Sequence, residues 1–145
     1  MIWKNKFDIN TINNISVNTM VQNLGIKFIE IGDDYISASM PIDSRTVQPM
    51  RILHGGASVA LAETLGSVAS FACIDANKYN TVGIEINANH LKAMPEGSGK
   101  VLGKATPIKI GKKLHIWNIE ITDEKGNMVC ISRLTTMVVP KAEKP

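Results

Sequence analysis

His54-Gly55-Gly56-Ala57-Ser58-Val59-Ala60-Leu61-Ala62-Glu63-Thr64-Leu65-Gly66-Ser67-Val68-Ala69-Ser70-Phe71-Ala72-Cys73-Ile74-Asp75 decides how the rest of the chain must fold. The stretch has no Pro, is rich in Ala and Leu, and is apolar or small at nearly every position, which predicts one long helix. About 20 residues at 1.5 Å each give roughly 30 Å, enough to cross a small domain. Apolar on all faces, the helix is expected to be buried on all sides. Between His54 and Asp75 the single charged side chain is Glu63. Together with Ser58, Thr64, Ser67 and Ser70, it argues against a membrane span. A buried, unpaired carboxylate either costs on the order of several kcal/mol or takes up a proton. A charge kept at the centre of such a rod points to a use.

Upstream, Ile9, Ile12, Ile15, Met20 and Val21 are spaced among polar residues. They predict one or two short helices, with Asp8 and Asn18 as candidate N-caps and Gly25 as the stop. Ile26 to Ile31 and Tyr35 to Met40 read as strands joined by a Gly32-Asp33-Asp34 hairpin turn, and Pro41 ends the second. Asp43 to Leu53 is an irregular loop leading into the helix. Downstream, Thr81 to Leu91 alternates, with Val82, Ile84 and Ile86 on one face and Glu85, Asn87 and Asn89 on the other, as a strand does. Pro95-Glu96-Gly97-Ser98-Gly99 is a turn. Lys100 to Ile110 is a strand in which Pro107 marks a bulge or an edge. Gly111 to Ile121 reads as the next strand, Asp123 to Asn127 as a hairpin turn, and Met128 to Val139 as the last strand. A solvated tail is expected over 139–145.

This order predicts an α+β fold in one domain, residues 1–145: an antiparallel sheet of five to six strands wrapped around one long central helix. The last three connections read as hairpin-like. One sheet cannot enclose a helix completely, so a second subunit is expected to close the open side.

The 145 residues suit a single domain with a moderate core. Hydrophobic content of 44% and charged content of 20% are those of an ordinary soluble protein. A net charge of +3 is too small to argue for nucleic acid, and 5% aromatic residues too few for base-stacking platforms. Cys73 and Cys130 form no CxxC or Cys/His cluster, so buried free thiols are expected and a metal site is not. No segment has the apolar length of a signal peptide or membrane span, and a reducing cytoplasm is the expected compartment.

Chemistry is expected at the start of the long helix. If it begins near Gly55, its first N–H groups lack intrahelical partners and point outward with the positive end of the dipole behind them. Paired glycines let a ligand approach that backbone closely, the geometry required to hold a polarised carbonyl or an oxyanion. A glycine-rich start to a tightly packed helix is the plainer alternative, and the motif alone does not separate the two. Glu63 has no basic partner on its own helix. Desolvation would raise its pKa and its basicity or nucleophilicity. Ser67, at i+4, shares its face and could hold a water or the carboxylate; packing is the plainer role for each hydroxyl. Gln48 offers an amide donor for a carbonyl oxygen, and His54 flanks the same helix start. The combination is far more specific than any one member. Lys92, Lys100, Lys104, Lys109, Lys112 and Lys113 stand against one acid, Glu96, between Leu91 and Lys113. A solvated strand face explains that run, and a diphosphate-bearing ligand such as coenzyme A would give it a purpose.

Gln48-Pro49, Leu53-His54-Gly55-Gly56 and Ala62-Glu63-Thr64-Leu65-Gly66-Ser67 resemble the hotdog-fold acyl-CoA thioesterases. The resemblance is to the branch that includes the Arthrobacter-type hydroxybenzoyl-CoA thioesterase and the dihydroxynaphthoyl-CoA thioesterase of menaquinone biosynthesis. Asn18-Thr19-Met20, Leu24-Gly25-Ile26, Met40-Pro41-Ile42-Asp43 and Arg45-Thr46 carry it over nearly the whole chain. The resemblance implies a homodimer assembling to a homotetramer, with sites at the dimer interface, and acyl-CoA as substrate without metal or other cofactor. It implies that the Gly55 N–H and the Gln48 side chain polarise the thioester carbonyl. Glu63 of the partner subunit would attack it or activate water, with His54 and Ser67 in support. It further implies that Val82, Asn89, His90, Leu91 and Lys92, with Thr106, Pro107, Ile108, Lys109, Ile110 and Gly111, cradle the coenzyme. The chain departs from the family twice. Met50-Arg51 follows Gln48-Pro49 where the family has an aromatic and a small residue. The stretch from Lys92 to Gly99 looks like a short insertion.

The expected function is hydrolysis of an acyl- or aroyl-CoA, with dihydroxynaphthoyl-CoA as one candidate. The alternatives are a non-catalytic acyl-CoA binding protein and another acyl-thioester enzyme of the same fold. A hydratase of that fold would carry a catalytic His paired with an acid in a different motif, which the sequence lacks.

Overall fold

The long helix is α3, Gly55–Ala72, in the computed structural model, which describes residues 1–142. It starts on His54, whose extended backbone and side-chain acceptor make it the N-cap. It stops three residues before the predicted Asp75. The reason lies in the N-terminal arm. The Lys4 and Asn5 backbone N–H groups donate to Ala72 O at 2.8 and 3.1 Å, and the Asn5 side chain donates to Phe71 O and Ile74 O. The arm thus takes the carbonyls that would otherwise carry the helix onward. Trp3 anchors it by donating to Gly32 O at 2.7 Å and stacking on Trp117.

The remaining elements are α1 (Ile9–Ile15), α2 (Met20–Asn23), β1 (Lys27–Ile31), β2 (Ile36–Pro41), β3 (Tyr79–His90), β4 (Lys100–Ile110), β5 (Leu114–Thr122) and β6 (Met128–Pro140). Asp8 caps α1 through Thr11 N–H, as expected, and Gly25 adopts φ 69° just past α2. Asn18 is not the cap of α2; Thr19 is, and Asn18 lies in the left-handed region at φ 61°.

All six strands form one antiparallel sheet in the order β1-β2-β4-β5-β6-β3. This corrects one reading of the connections. The 95–99 turn is not a hairpin between β3 and β4. β4 pairs with β2 and β5, while β3 crosses the molecule and pairs with β6 at the far edge. The turn is spent locally instead, with Gly97 N–H donating to Ile42 O and Ile42 N–H to Gly99 O. The last strand also runs further than expected. Val139 and Pro140 still pair with Asn80 and Tyr79, and Lys141 N–H donates to Lys78 O. The expected tail over 139–145 is therefore strand at its start, and 143–145 lie outside the described residues. Pro107 marks a bulge, where the β4–β5 register slips between Pro107 and Lys109.

The sheet curls over α3. Glycines sit where helix and strand come closest: a Cβ on Gly66 would stand 2.5 Å from Leu134 Cδ2 on β6, and one on Gly103 2.6 Å from Leu65 Cδ1. Leu61 and Leu65 are fully buried against Phe28, Met40, Ile119 and Leu134. Within this core Trp117 Nε1–H donates to Ser70 Oγ at 2.6 Å, and Ser70 Oγ and Thr136 Oγ1 share a hydrogen bond at 2.7 Å. Cys73 and Cys130 are buried free thiols, and burial pushes the Cys73 thiol up to about 11.

The expectation of burial on every side does not hold for one chain. Val59, Ala60, Glu63, Thr64, Ser67 and Val68 are partly exposed and Phe71 is exposed, while Ala57, Leu61, Leu65 and Ala69 are covered. The open residues recur at helical spacing, so they form one stripe along α3. That stripe carries Glu63.

Candidate active site

The hydrogen-bond accounts at the start of α3 leave one donor over. His54 N–H donates to Thr46 O at 2.8 Å. Gly56 N–H donates to His54 Nδ1 at 2.7 Å, and Ala57 and Ser58 N–H both donate to His54 O. Among the described residues Gly55 N–H has no acceptor. It is the first-turn group left for a ligand, at the positive end of an 18-residue helix. His54 thus takes up the neighbouring donors and leaves that of Gly55 free. Its side chain does not line the cleft in front of Gly55; it borders a separate depression with Thr46 and Val47.

Gln48 sits on a tight turn facing that helix start. Its N–H donates to Ile52 O, and Arg51 N–H donates back to Gln48 O. Arg51 adopts φ 60° to close the turn. The Gln48 Oε1 accepts from Met50 N–H. This fixes which end of the amide is which: the NH2 remains, without a partner among the described residues. The two unengaged donors, Gln48 NH2 and Gly55 N–H, belong to residues that line one cleft of about 340 Å3. His90, Leu91 and Lys92 line it as well. The His90 ring packs on Gly55 so closely that a Cβ there would stand 2.7 Å from His90 Nε2.

Glu63 is elsewhere. It lies eight residues along α3 from Gly55, about 12 Å at 1.5 Å per residue. It does not line the cleft. Burial raises its carboxyl above the ordinary value. Its carboxylate lies against β3 at Gly83, where a Cβ would overlap Oε1. Thr64 donates to Ala60 O at 2.7 Å, the packing role expected of a helix hydroxyl, and Ser67 makes no hydrogen bond to Glu63. Val82 is exposed on the edge strand. Thr106, Pro107, Ile108 and Lys109 lie on β4 away from the cleft, and Ile110 and Gly111 border a different cavity beside His115. Asn89 is exposed at the end of β3. Lys92 is held by Asp123, Nζ to Oδ2 at 2.5 Å. That ammonium, then the Asn127 side chain, keep the Asp123 carboxyl well below the usual carboxylate range. A single chain thus unites Gln48, Gly55, His90, Leu91 and Lys92, and leaves Glu63, Ser67, Val82, Asn89 and 106–111 outside.

Two residues of this region are not among the expected site residues. Ser58 is buried and lines the cleft one turn beyond Gly55, and its i+3 spacing was a sufficient signal. Gly83 interrupts an otherwise alternating strand, a pattern that marks a bulge or a close backbone approach. Among the described residues no group of three or more His, Cys, Asp or Glu side chains is arranged to hold a metal ion.

A six-stranded antiparallel sheet curled over one central helix defines the hotdog class of enzyme fold. The family model of the thioesterase superfamily matches residues 50–130, and the chain belongs to that superfamily. It is similar to the 1,4-dihydroxy-2-naphthoyl-CoA hydrolase of Escherichia coli K12, at 48% identity across 96% of this chain and 100% of the relative. It superposes on a glutamine-to-alanine mutant of thioesterase PA1618 from Pseudomonas aeruginosa with a TM-score of 0.94 at 43% identity, covering 97% of this chain and 100% of that one. Two mutants of SAV0944 from Staphylococcus aureus, one glutamate-to-alanine and one glutamine-to-alanine, each superpose with a TM-score of 0.79. Their identities are 34% and 33%, and they cover 84% and 83% of this chain and 99% and 98% of their own.

Proposed function

We propose that this protein is an acyl-CoA thioesterase that hydrolyses an acyl- or aroyl-CoA to the free acid and coenzyme A. The carrying observation is the pair of unengaged donors, Gly55 N–H and Gln48 NH2, beside one cleft. A thioester oxygen bonded to both is polarised, and its negative charge in the tetrahedral intermediate meets donors already in place. Glu63 supplies the attack. As a base it takes a proton from water while the water oxygen bonds to the carbonyl carbon. Collapse then breaks the C–S bond, and the departing thiolate takes that proton. As a nucleophile its oxygen bonds to the carbonyl carbon and expels the thiolate, and water then cleaves the mixed anhydride. The two SAV0944 mutants support the pairing, since their altered Gln and Glu are separated by the same number of positions as Gln48 and Glu63.

Both groups cannot reach one carbonyl from a single helix across about 12 Å. The site therefore takes Glu63 and Ser67 from a second copy of the chain. The open stripe on α3 and the unpaired outer edge of β3 support this, because both are surfaces that a second copy can cover. In that dimer, Val82 and residues 106–111 of one copy join His90 and Leu91 of the other around the coenzyme, and dimers pair into a tetramer. No metal or other cofactor takes part. The buried thiols suit a reducing cytoplasm. The identity with the E. coli hydrolase favours 1,4-dihydroxy-2-naphthoyl-CoA, and hence menaquinone biosynthesis, as the substrate and setting.

The test is thiol release from dihydroxynaphthoyl-, benzoyl- and lauroyl-CoA by the native protein and by Glu63→Ala. The variant should keep its assembly state and lose about 10³-fold or more in kcat. Near-native turnover in that variant would overturn the mechanism. Tight binding of all three without turnover by the native protein would overturn the function.

A further inference from the structure

Gly83 is the point at which β3 meets the proposed catalytic carboxylate. A Cβ built there would overlap Glu63 Oε1 and stand 3.2 Å from its carboxyl carbon. The backbone angle at this position does not ask for glycine. Its φ lies outside the left-handed region, unlike that of Gly25, Gly97, Gly99 or Gly126. Glycine in a strand interior weakens the strand, so its presence needs a cause. The β3–β6 register slips between Gly83 and Glu85, which bends β3 at this residue. Among the described residues Glu63 has no hydrogen bond or ion pair to hold it. What limits its carboxylate on this side is the bare backbone of β3.

We infer that Gly83 is a positioning residue for the thioesterase reaction: its missing side chain is the recess that seats the Glu63 carboxylate at a fixed height above the sheet. The inference rests on the reading of Glu63 as the attacking group. Burial raises the Glu63 carboxyl, and a carboxylate moved out toward water would lose part of that burial. A methyl at 83 pushes the carboxylate out toward water. That misplaces the group relative to a carbonyl held by the other copy, and returns its pKa toward that of an ordinary Glu.

The experiment compares the native protein with Gly83→Ala, Glu63→Ala and the double variant. In Gly83→Ala, kcat should fall about 10²-fold with KM within about threefold of native. The acid limb of its kcat–pH profile should move to lower pH. In unfolding by urea, Gly83→Ala should stabilise the Glu63→Ala background, where the overlap is gone and the strand gains a side chain, and should show less or none of that gain in the native protein. If Gly83→Ala fails to fold, the double variant decides: a folded double variant supports the recess, and an unfolded one overturns it. Unchanged kcat and an unmoved acid limb in Gly83→Ala, with Glu63→Ala inactive, would also overturn it. Retained activity in Glu63→Ala is the separate result that sinks the underlying mechanism.

Discussion

Arg51 and Glu96, 45 positions apart, lie face to face, with Nε on Oε2 at 2.8 Å and Nη2 on Oε1 at 2.5 Å. The pair ties the turn that carries Gln48 to the segment following β3. Glu96 N–H donates to Arg51 O, and Leu53 N–H to Met94 O, along the same seam. With Arg51 59% and Glu96 31% exposed at the side chain, the ion pair adds under about 1 kcal/mol to stability. Its larger effect is on where the Gln48 amide points. Glu96→Gln should leave the urea midpoint nearly unchanged and lower kcat/KM about three- to tenfold. The native enzyme should lose part of that advantage in high salt. Equal kinetics for the two proteins at low salt would count against this role.

The cap at His54 makes a second expectation. Replacing the imidazole by a methyl leaves Gly56 N–H open and weakens the helix start by about 1 kcal/mol. It also sets a second free donor beside Gly55. His54→Ala should therefore lose stability that His54→Asn, a good N-cap, recovers. Chemical denaturation of the three proteins measures it.

The Trp117–Ser70–Thr136 chain is fully buried. Ser70→Ala strands the indole N–H in the core, at about 1–3 kcal/mol. The loss should appear in the unfolding free energy and not in KM, since these groups lie under the sheet rather than at the cleft. An unchanged midpoint would mean that Trp117 finds another acceptor.

His115 gives the protein an acid-side weakness. It is 1% exposed, its Nδ1 has no hydrogen-bond partner among the described residues, and burial lowers its pKa below the ordinary 6.5. Below pH 6.5 the unfolded chain takes up a proton before the folded one, so stability falls as pH drops through the window toward the folded value. Above 6.5 that contribution is complete. His115→Phe should flatten the dependence of unfolding free energy on pH across that window. A slope equal to native would assign the acid loss to other groups.

Much of this was legible in the sequence because it is local. Helical composition placed α3, alternation placed β3, and the turn residues placed the hairpins around 32–34 and 123–127. Gly55 and Gln48, which the structure brings to one cleft, stood out along with Glu63 because each is a residue type that its surroundings do not otherwise require. What escaped was non-local. The crossing of β3 to pair with β6 follows from which edge remains free once β2 and β4 have joined, and the 95–99 turn looks the same either way. The early stop of α3 depends on Lys4 and Asn5, far away in the chain. The Arg51–Glu96 pair joins the two places where the sequence departs from its family, so the two departures are one feature rather than two.

The strand order also has a consequence during synthesis. β3 leaves the ribosome long before its single sheet partner, β6, the last strand to be made. At about 5–20 residues per second, Val82 and Ile84 wait on the order of seconds before the ladder that holds Gly83 can form. The place where the Glu63 carboxylate rests is thus among the final parts of the protein to be built. A nascent chain cut short before Met128 would carry Gln48 and Gly55, yet lack both Val129 of the cleft wall and β6, the partner of the strand against which Glu63 rests.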